Sequence, residues 1–564
     1  MLDRKWRVFA RRPRDRRMKF VRPPPYLLAV LSGVLLGFSG PPYPTGFLAV
    51  FGLVPVLLAI EGAGTLRRTF GLAYVSSLVL LLIVTYWTLL GDHWYLVVSA
   101  ILFLLAYPVV LTIPFVLWKL TTRTFGLTVA YFLFPFFWVA VEYVQSRTEL
   151  TIPFIRLAHS QTYNTAAIQL TSLAGVSGLS FMLGVSNIML FAAVRKLSSL
   201  RWKVEPLRSA SLLIGGIVTA ALPSLYGTAV LRDAAEPAQG YKNVRVALIQ
   251  PDIDPYEKWV GNVRKQLSEL TFLTQQSLQE KPDLVIWSET AIPLYILRPE
   301  NDSLFHALQS IVRQSEVPVL TGYTDWIEYP DSVDAPRGTK FTPEGIHYDI
   351  FNAAMLLSPR SGVRERYYKI ILLPFFEHVP YVDALGSFID LDILRWNFGT
   401  GGYRAGIDTT VFTIRSRESR QARFGVVICY ESLFSDFVAS FARKGAEFIV
   451  ILTNDSWWGN SAAPYQHRQF AVLRAVENRR WVVRCANGGI SCVVDPYGRI
   501  TAQTSFGTQA VLTRNITPSS SLTFYTRHGD WVGKASFITV CITLVGFCGD
   551  ILRRRFRTRS SNGE

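Results

Sequence analysis

The chain has 564 residues, half of them hydrophobic, with a mean hydropathy of +0.24 and a formal net charge of +17. It is too long for one ordinary domain and too apolar for an ordinary soluble protein. Its basic charge is placed against nucleic acid as a partner: ten Lys and Arg lie in the first 22 residues, directly before an apolar run, and Arg553 to Arg559 directly follow the last one.

In chain order, the basic segment 1–25 comes first and reads as a cytoplasmic N-terminus. A membrane-spanning helix needs about 20 mostly apolar residues. Two short apolar runs, 26–40 and 47–61, flank the stretch GPPYPTG and read as a tight helical hairpin or as one re-entrant unit. Full-length runs follow near 70–90, 94–118, 125–146, 173–194 and 209–227, and another near 531–552. The expectation is an α-helical transmembrane bundle of about eight spans, seven within 26–227 and one at 531–552. Basic loops alternate with loops poor in Lys and Arg: Arg67 and Arg68, Lys119 and Arg123, and Arg195 to Arg208 all fall on the side of the N-terminus. The positive-inside rule then puts 228–530 outside the cytoplasm and returns the basic tail 553–564 to it. Glu142, near a span end, either faces the protein interior or reaches the interface.

From Asn243 the texture changes. VRVALIQ, LVIWSE, VPVLTGY, FNAAMLLS, FGVVICYES, EFIVILTND, WVVRCANGG and SCVVDPYG read as strands; 258–280, 302–315 and 465–480 read as helices. Continuous apolar strands between helices imply an α/β domain with its sheet covered on both faces. Asn487 to Gly489 reads as a hairpin turn, and 326–348 as a surface insertion.

Reactive side chains sit at strand ends in this region: Glu289 in WSETAIP, Lys369 and then Glu377 in YYKIILLPFFEHVPY, and Cys429 in GVVICYES. Far apart in sequence, they meet only if strand ends share one edge of a sheet. Their chemistry is that of covalent acyl transfer. A thiol with an ordinary pKa of about 8.5 becomes a nucleophile when a carboxylate takes its proton. An ammonium steadies the thiolate and the oxyanion that follows. Taken singly, each has a blander reading: a buried cysteine, a solvated lysine, a helix-capping acid.

Together they resemble the nitrilase, or carbon–nitrogen hydrolase, superfamily over about 243–515, on WSETAIP, YYKIILLPFFEHVPY, CYES and TNDSWWG. With membrane spans on both sides, the chain is similar to the bacterial apolipoprotein N-acyltransferase family. That resemblance implies an α-β-β-α sandwich for the nitrilase-like domain, with Glu289 as general base, Lys369 as oxyanion-stabilising cation and Cys429 as nucleophile. Glu377, Tyr430 and Glu431 match further positions near the site, and Trp259 matches an aromatic of a loop over it. It implies a phospholipid donor, a diacylglyceryl-cysteine lipoprotein acceptor, the bacterial inner membrane with the catalytic domain on the periplasmic side, a monomer, and no cofactor, metal or nucleic acid. The alternatives are a membrane-tethered amidase using the same residues with water, and a non-catalytic scaffold. The remaining residues read as structural. Cys485 and Cys492 flank the hairpin as two small buried residues or a disulfide, and Cys541 and Cys548 lie in the last span. His378 and His467 take packing roles. The aromatics at 374–376 and 456–458 form a lipid-facing rim or core.

Overall fold

Lipid offers backbone groups no hydrogen-bond partner, so the apolar runs fold as helices, which satisfy the backbone internally. The structure, a computed structural model, describes residues 23–91, 94–149, 153–198, 206–234, 243–330, 335–336, 338–378, 380–381, 402–418 and 420–561. Among these, six helices are long and apolar enough to cross a membrane: 66–90, 96–124, 127–145, 167–197, 206–232 and 531–555. The two short runs form the helical segments Pro25–Ser39 and Gly46–Glu61, each below that length. Their packing against the rest carries them. A Cβ on Gly33 would lie 2.5 Å from the Ser76 carbonyl oxygen, so the first helix meets 66–90 nearly backbone to backbone. Glu142 faces the interior, accepting from Trp138 Nε1 and the Leu157 amide, both at 2.8 Å.

Among the described residues the α/β region holds thirteen strands: β1 Val244–Gln250, β2 Leu284–Trp287, β3 Val319–Tyr329, β4 Lys340–Phe341, β5 His347–Ser358, β6 Gly362–Tyr368, β7 Val411–Arg415, β8 Gln421–Ile428, β9 Phe448–Thr453, β10 Trp481–Ala486, β11 Cys492–Val494, β12 Ile500–Gln503 and β13 Ala510–Ile516. They form two mixed sheets. One has the order β13-β1-β2-β3-β5-β4 with β6 on β5, and the other β12-β11-β10-β9-β8-β7. Alternation along β1 shows why there are two layers of core. Val246 and Leu248 join a cluster with Phe424, Val450 and Val483 of the second sheet. Ala247 and Ile249 point the other way, onto Leu267 and Leu270 of helix Val263–Leu278 and Val312 of helix Asp302–Ser315. Helices Ser435–Arg443 and Ala462–Asn478 cover the second sheet. The first packs tightly because β8 carries a glycine there: a Cβ on Gly425 would lie 2.8 Å from the Phe441 ring. This is the α-β-β-α arrangement.

Two expectations change. The stretch 326–348 begins and ends in strand: β3 and β5 pair continuously from Val319↔Leu357 to Tyr329↔His347, so residues 326–329 and 347–348 are the outer end of one long hairpin, and residues 331–334 and 337 lie outside the described residues. The polar tip concealed a strand pairing that apolar content alone could not signal. The reactive strand ends also belong to two sheets rather than one edge of a single sheet.

The two regions meet along a polar and aromatic seam. Gln466 on helix Ala462–Asn478 accepts from Trp87 Nε1 at 3.0 Å and donates to the carbonyls of Pro41 and Val84 at 3.1 and 2.9 Å. Trp87 also packs on Trp458, with ring centroids 4.8 Å apart. Asp530, just before the last membrane helix, accepts from Ser177 at 2.6 Å.

Candidate active site

Glu289 leaves β2, Lys369 leaves β6 and Cys429 leaves β8, and all three arrive at the same end of the two facing sheets. Lys369 Nζ lies 3.4 Å from Glu289 Oε1 and 2.9 Å from Glu377 Oε1, with the lysine fully buried. Asn352 of β5 binds both carboxylates, its Nδ2 donating at 2.9 Å to each. The second Glu377 oxygen accepts the Leu373 amide at 2.7 Å, which closes the turn after Lys369. Behind Glu289 the chain bends sharply, with Thr290 at φ +44°. Gly322 of β3 presses against that bend, and a Cβ there would sit 2.5 Å from the Thr290 nitrogen.

Cys429 opens a short 3-10 turn with φ +52°, a left-handed conformation that a non-glycine residue adopts only when its surroundings enforce it. Three groups do so. Glu431 accepts the Ile428 amide at 2.7 Å with one oxygen. With the other it accepts from Tyr367 Oη and the Ile370 amide, both at 2.6 Å, and the Ile371 amide at 3.1 Å. One buried carboxylate thus rivets the exit of β8 to the exit of β6 on the opposite sheet. Burial pushes that carboxyl up to about 7 against the pull of these hydrogen bonds. The Cys429 carbonyl accepts from Ser432 Oγ at 2.7 Å and lies 3.2 Å from His467 Nε2. His467 is itself held 2.8 Å from Asp455, which is ion-paired to the buried Arg484 at 2.5 Å.

The electrostatics suit a thiol that is neutral at rest. Burial pushes the Cys429 thiol up, Glu289 pushes it further, and Lys369 opposes both without cancelling them. Burial by itself would strip the Lys369 proton. Glu377 and then Glu289 more than offset it and hold the ammonium well above its ordinary range. The Asp455 carboxyl is held below its usual range: burial raises it, but Arg484 and His467 outweigh that. A neutral thiol, a carboxylate and a fixed ammonium in one buried place can take an acyl group through an oxyanion and pass it on.

Of the residues read from sequence, Glu289, Lys369, Cys429 and Glu377 come together. Tyr430 is buried against Phe434, ring centroids 5.2 Å apart, and Glu431 acts as the rivet described. Trp259 stands apart: it is 37% exposed on the short helix Glu257–Val260 and has no ring or hydrogen-bond contact with the three. The reading missed Asn352, Tyr367, Lys258 and the Asp455–His467–Arg484 chain. The one available signal is Asn352 itself, a polar residue set directly before the apolar run AAMLL. His467 takes a structural role, but one that touches the Cys429 carbonyl. His378 lies 3.7 Å from Glu149. Cys485 and Cys492 are buried free thiols, while Cys541 and Cys548 are exposed on the last helix. The aromatic rim divides: Phe375 is exposed, whereas Phe376 packs on Trp458 and Trp457 on Tyr256, each pair with centroids 5.2 Å apart.

Two facing mixed sheets with helices outside them define the class. The chain matches the family described as carbon-nitrogen hydrolase over residues 245–522. It also matches the one described as apolipoprotein N-acyltransferase N-terminal domain over 32–189. The apolipoprotein N-acyltransferase of Chlorobaculum tepidum is 35% identical over 528 residues, 93% of this chain and 95% of that protein. That of Geobacter metallireducens is 30% identical over 517 residues, 90% and 92% of the two chains. The chain belongs to the apolipoprotein N-acyltransferase family, multi-pass membrane acyltransferases of lipoprotein maturation within the nitrilase superfamily.

Proposed function

We propose that this chain moves an acyl group from a membrane phospholipid to the α-amino group of a diacylglyceryl-cysteine lipoprotein by way of a thioester on Cys429. The observation that carries the reading is the meeting of Glu289, Lys369 and Cys429 in a domain flanked by membrane helices. Glu289 takes the Cys429 proton as the sulfur attacks the ester carbonyl. The resulting oxyanion is neutralised by the Lys369 ammonium. The C–O bond breaks, Glu289 returns the proton to the departing lysophospholipid oxygen, and the acyl group remains on sulfur. The acceptor amine then attacks the thioester, Glu289 takes its proton, the C–N bond forms as C–S breaks, and the proton goes back to sulfur. Glu377 keeps Lys369 charged, and Asn352 holds both carboxylates toward it. Tyr430 and Glu431 shape the turn that presents the thiol, and Trp259 belongs to the segment bordering the site.

With phospholipid and a diacylated lipopeptide, the products should be N-acylated lipopeptide and lysophospholipid, with ping-pong kinetics. Free fatty acid as the main product would instead make the chain a membrane-tethered amidase-type hydrolase.

We place residues 228–530 on the periplasmic side of the inner membrane and both basic ends in the cytoplasm, on the alternation of charged loops. A topology reporter fused after residue 230 should read as periplasmic and one after 555 as cytoplasmic. Both on one side would overturn the arrangement.

A further inference from the structure

A second lysine lies beside the candidate site, and no step above uses it. Lys258 is fully buried, on the helix Glu257–Val260 that also carries Trp259. Its Nζ donates to the backbone carbonyl of Glu289 at 2.9 Å. Among the described residues it pairs with no carboxylate within ion-pair distance, and Glu289 is the one charged group that acts on it. Burying an ammonium without a direct counter-ion is costly, so this position is an expensive way merely to anchor a loop. The segment is already anchored: the Asp252 amide binds the Asn487 carbonyl at 3.0 Å, Asn487 Nδ2 binds the Ile253 carbonyl at 2.6 Å, and Gln266 Nε2 binds the Lys258 carbonyl at 3.1 Å.

We propose that Lys258 is a positioning residue for Glu289, fixing its backbone at the carbonyl while Lys369 holds its carboxylate, and adding positive charge that keeps that carboxylate ionised and ready to take a proton. The inference rests on Glu289 acting as the base. The two lysines divide the work. Lys369 approaches the carboxylate directly and is shared with Glu377, whereas Lys258 reaches Glu289 alone and through its main chain. Burial lowers Lys258 to about 7, with Glu289 pulling the other way. Below that pH it is an ammonium that favours the Glu289 carboxylate; above it, it is an amine that still donates the hydrogen bond. The charge is therefore present below about 7 and lost above it. Loss of an opposite charge near a carboxylate raises the pH at which that carboxylate ionises.

The test is single-turnover formation of the acyl adduct by the full chain in phospholipid–detergent micelles, followed by mass across a pH series. In Lys258→Met the midpoint of the acid limb should move up by about one pH unit. Below the wild-type midpoint the rate should therefore fall by up to about tenfold, with much of it recovered on the alkaline plateau. Lys258→Gln keeps a donor for the Glu289 carbonyl without the charge. It should approach the wild-type rate on the plateau and still show the raised midpoint. A purely structural role would lower the amount of active enzyme and leave the midpoint in place, so an unmoved midpoint in the folded variants overturns the proposal. If Lys258→Met does not fold, Lys258→Gln decides. Cys429→Ala run alongside separates the two readings: an adduct on that variant would remove the reading of the site itself. No adduct there, with an unmoved Lys258→Gln midpoint, removes the role of Lys258 alone.

Discussion

Cys429→Ala should give no acyl-enzyme at any pH, because among the described residues no other thiol stands where β8 delivers this one. Cys485 and Cys492 are buried within the second sheet, and Cys541 and Cys548 sit on the last membrane helix. The mass of the purified variant with and without phospholipid is the measurement, and an adduct at wild-type level would take Cys429 out of the mechanism. Cys429→Ser should be almost as inert. The resting thiol is already held neutral by burial and by Glu289, and an alcohol is far harder to deprotonate. The fold should survive both changes: the φ of +52° is enforced by Glu431, Ser432 and His467 acting on backbone atoms that each variant keeps.

Lys369→Met should impair acylation and deacylation together, since both pass through an oxyanion, with a loss of roughly 3 kcal/mol or more in each barrier. The structure adds a second consequence. Without the ammonium, Glu289 and Glu377 face each other across one Asn352 amide, and two such carboxylates cannot both stay ionised at neutral pH. One takes up a proton, so the variant loses part of its base as well as its cation. Alkaline pH should restore the base and not the cation, leaving the rate low. Glu289→Gln provides the contrast: a loss of about 10²–10⁴ typical of a missing general base, partly recovered at alkaline pH as thiolate forms directly. Equal recovery of the two variants would mean that Lys369 acts only through Glu289.

The parts of this molecule visible in its sequence were those written in local pattern. Apolar length gave the helices, and 302–315 matches in both bounds. Abrupt polarity at the ends of β2 and β8 exposed Glu289 and Cys429, and Lys369 stood out in YYKIILLPFFEHVPY. What stayed hidden depends on partners far away along the chain. β13 pairs with β1 from Val244↔Ile516 onward, and nothing in VLTRNI announces it. β6, as GVRERYY, carries three charged residues in a row and reads as surface. Asn352 gains its meaning only from carboxylates 63 and 25 residues away, and Lys258 from a carbonyl 31 residues on. Two sheets rather than one could not be read from strand composition, because a strand buried between sheets and one buried under helices are equally apolar.

Helix Ala462–Asn478 has 15 of its 17 residues buried, and only Tyr465 and Arg468 reach toward water. His467 turns toward the thiol-bearing turn, while its neighbour Gln466 is plugged into the membrane bundle. A catalytic half severed from its helices would carry Gln466, Phe470 and the face around them into solvent as an apolar scar with unpaired amides. The nitrilase-like half is therefore not a passenger that happens to be moored to a bilayer. Its innermost wall is finished by the bundle, through Gln466 on Trp87, Pro41 and Val84.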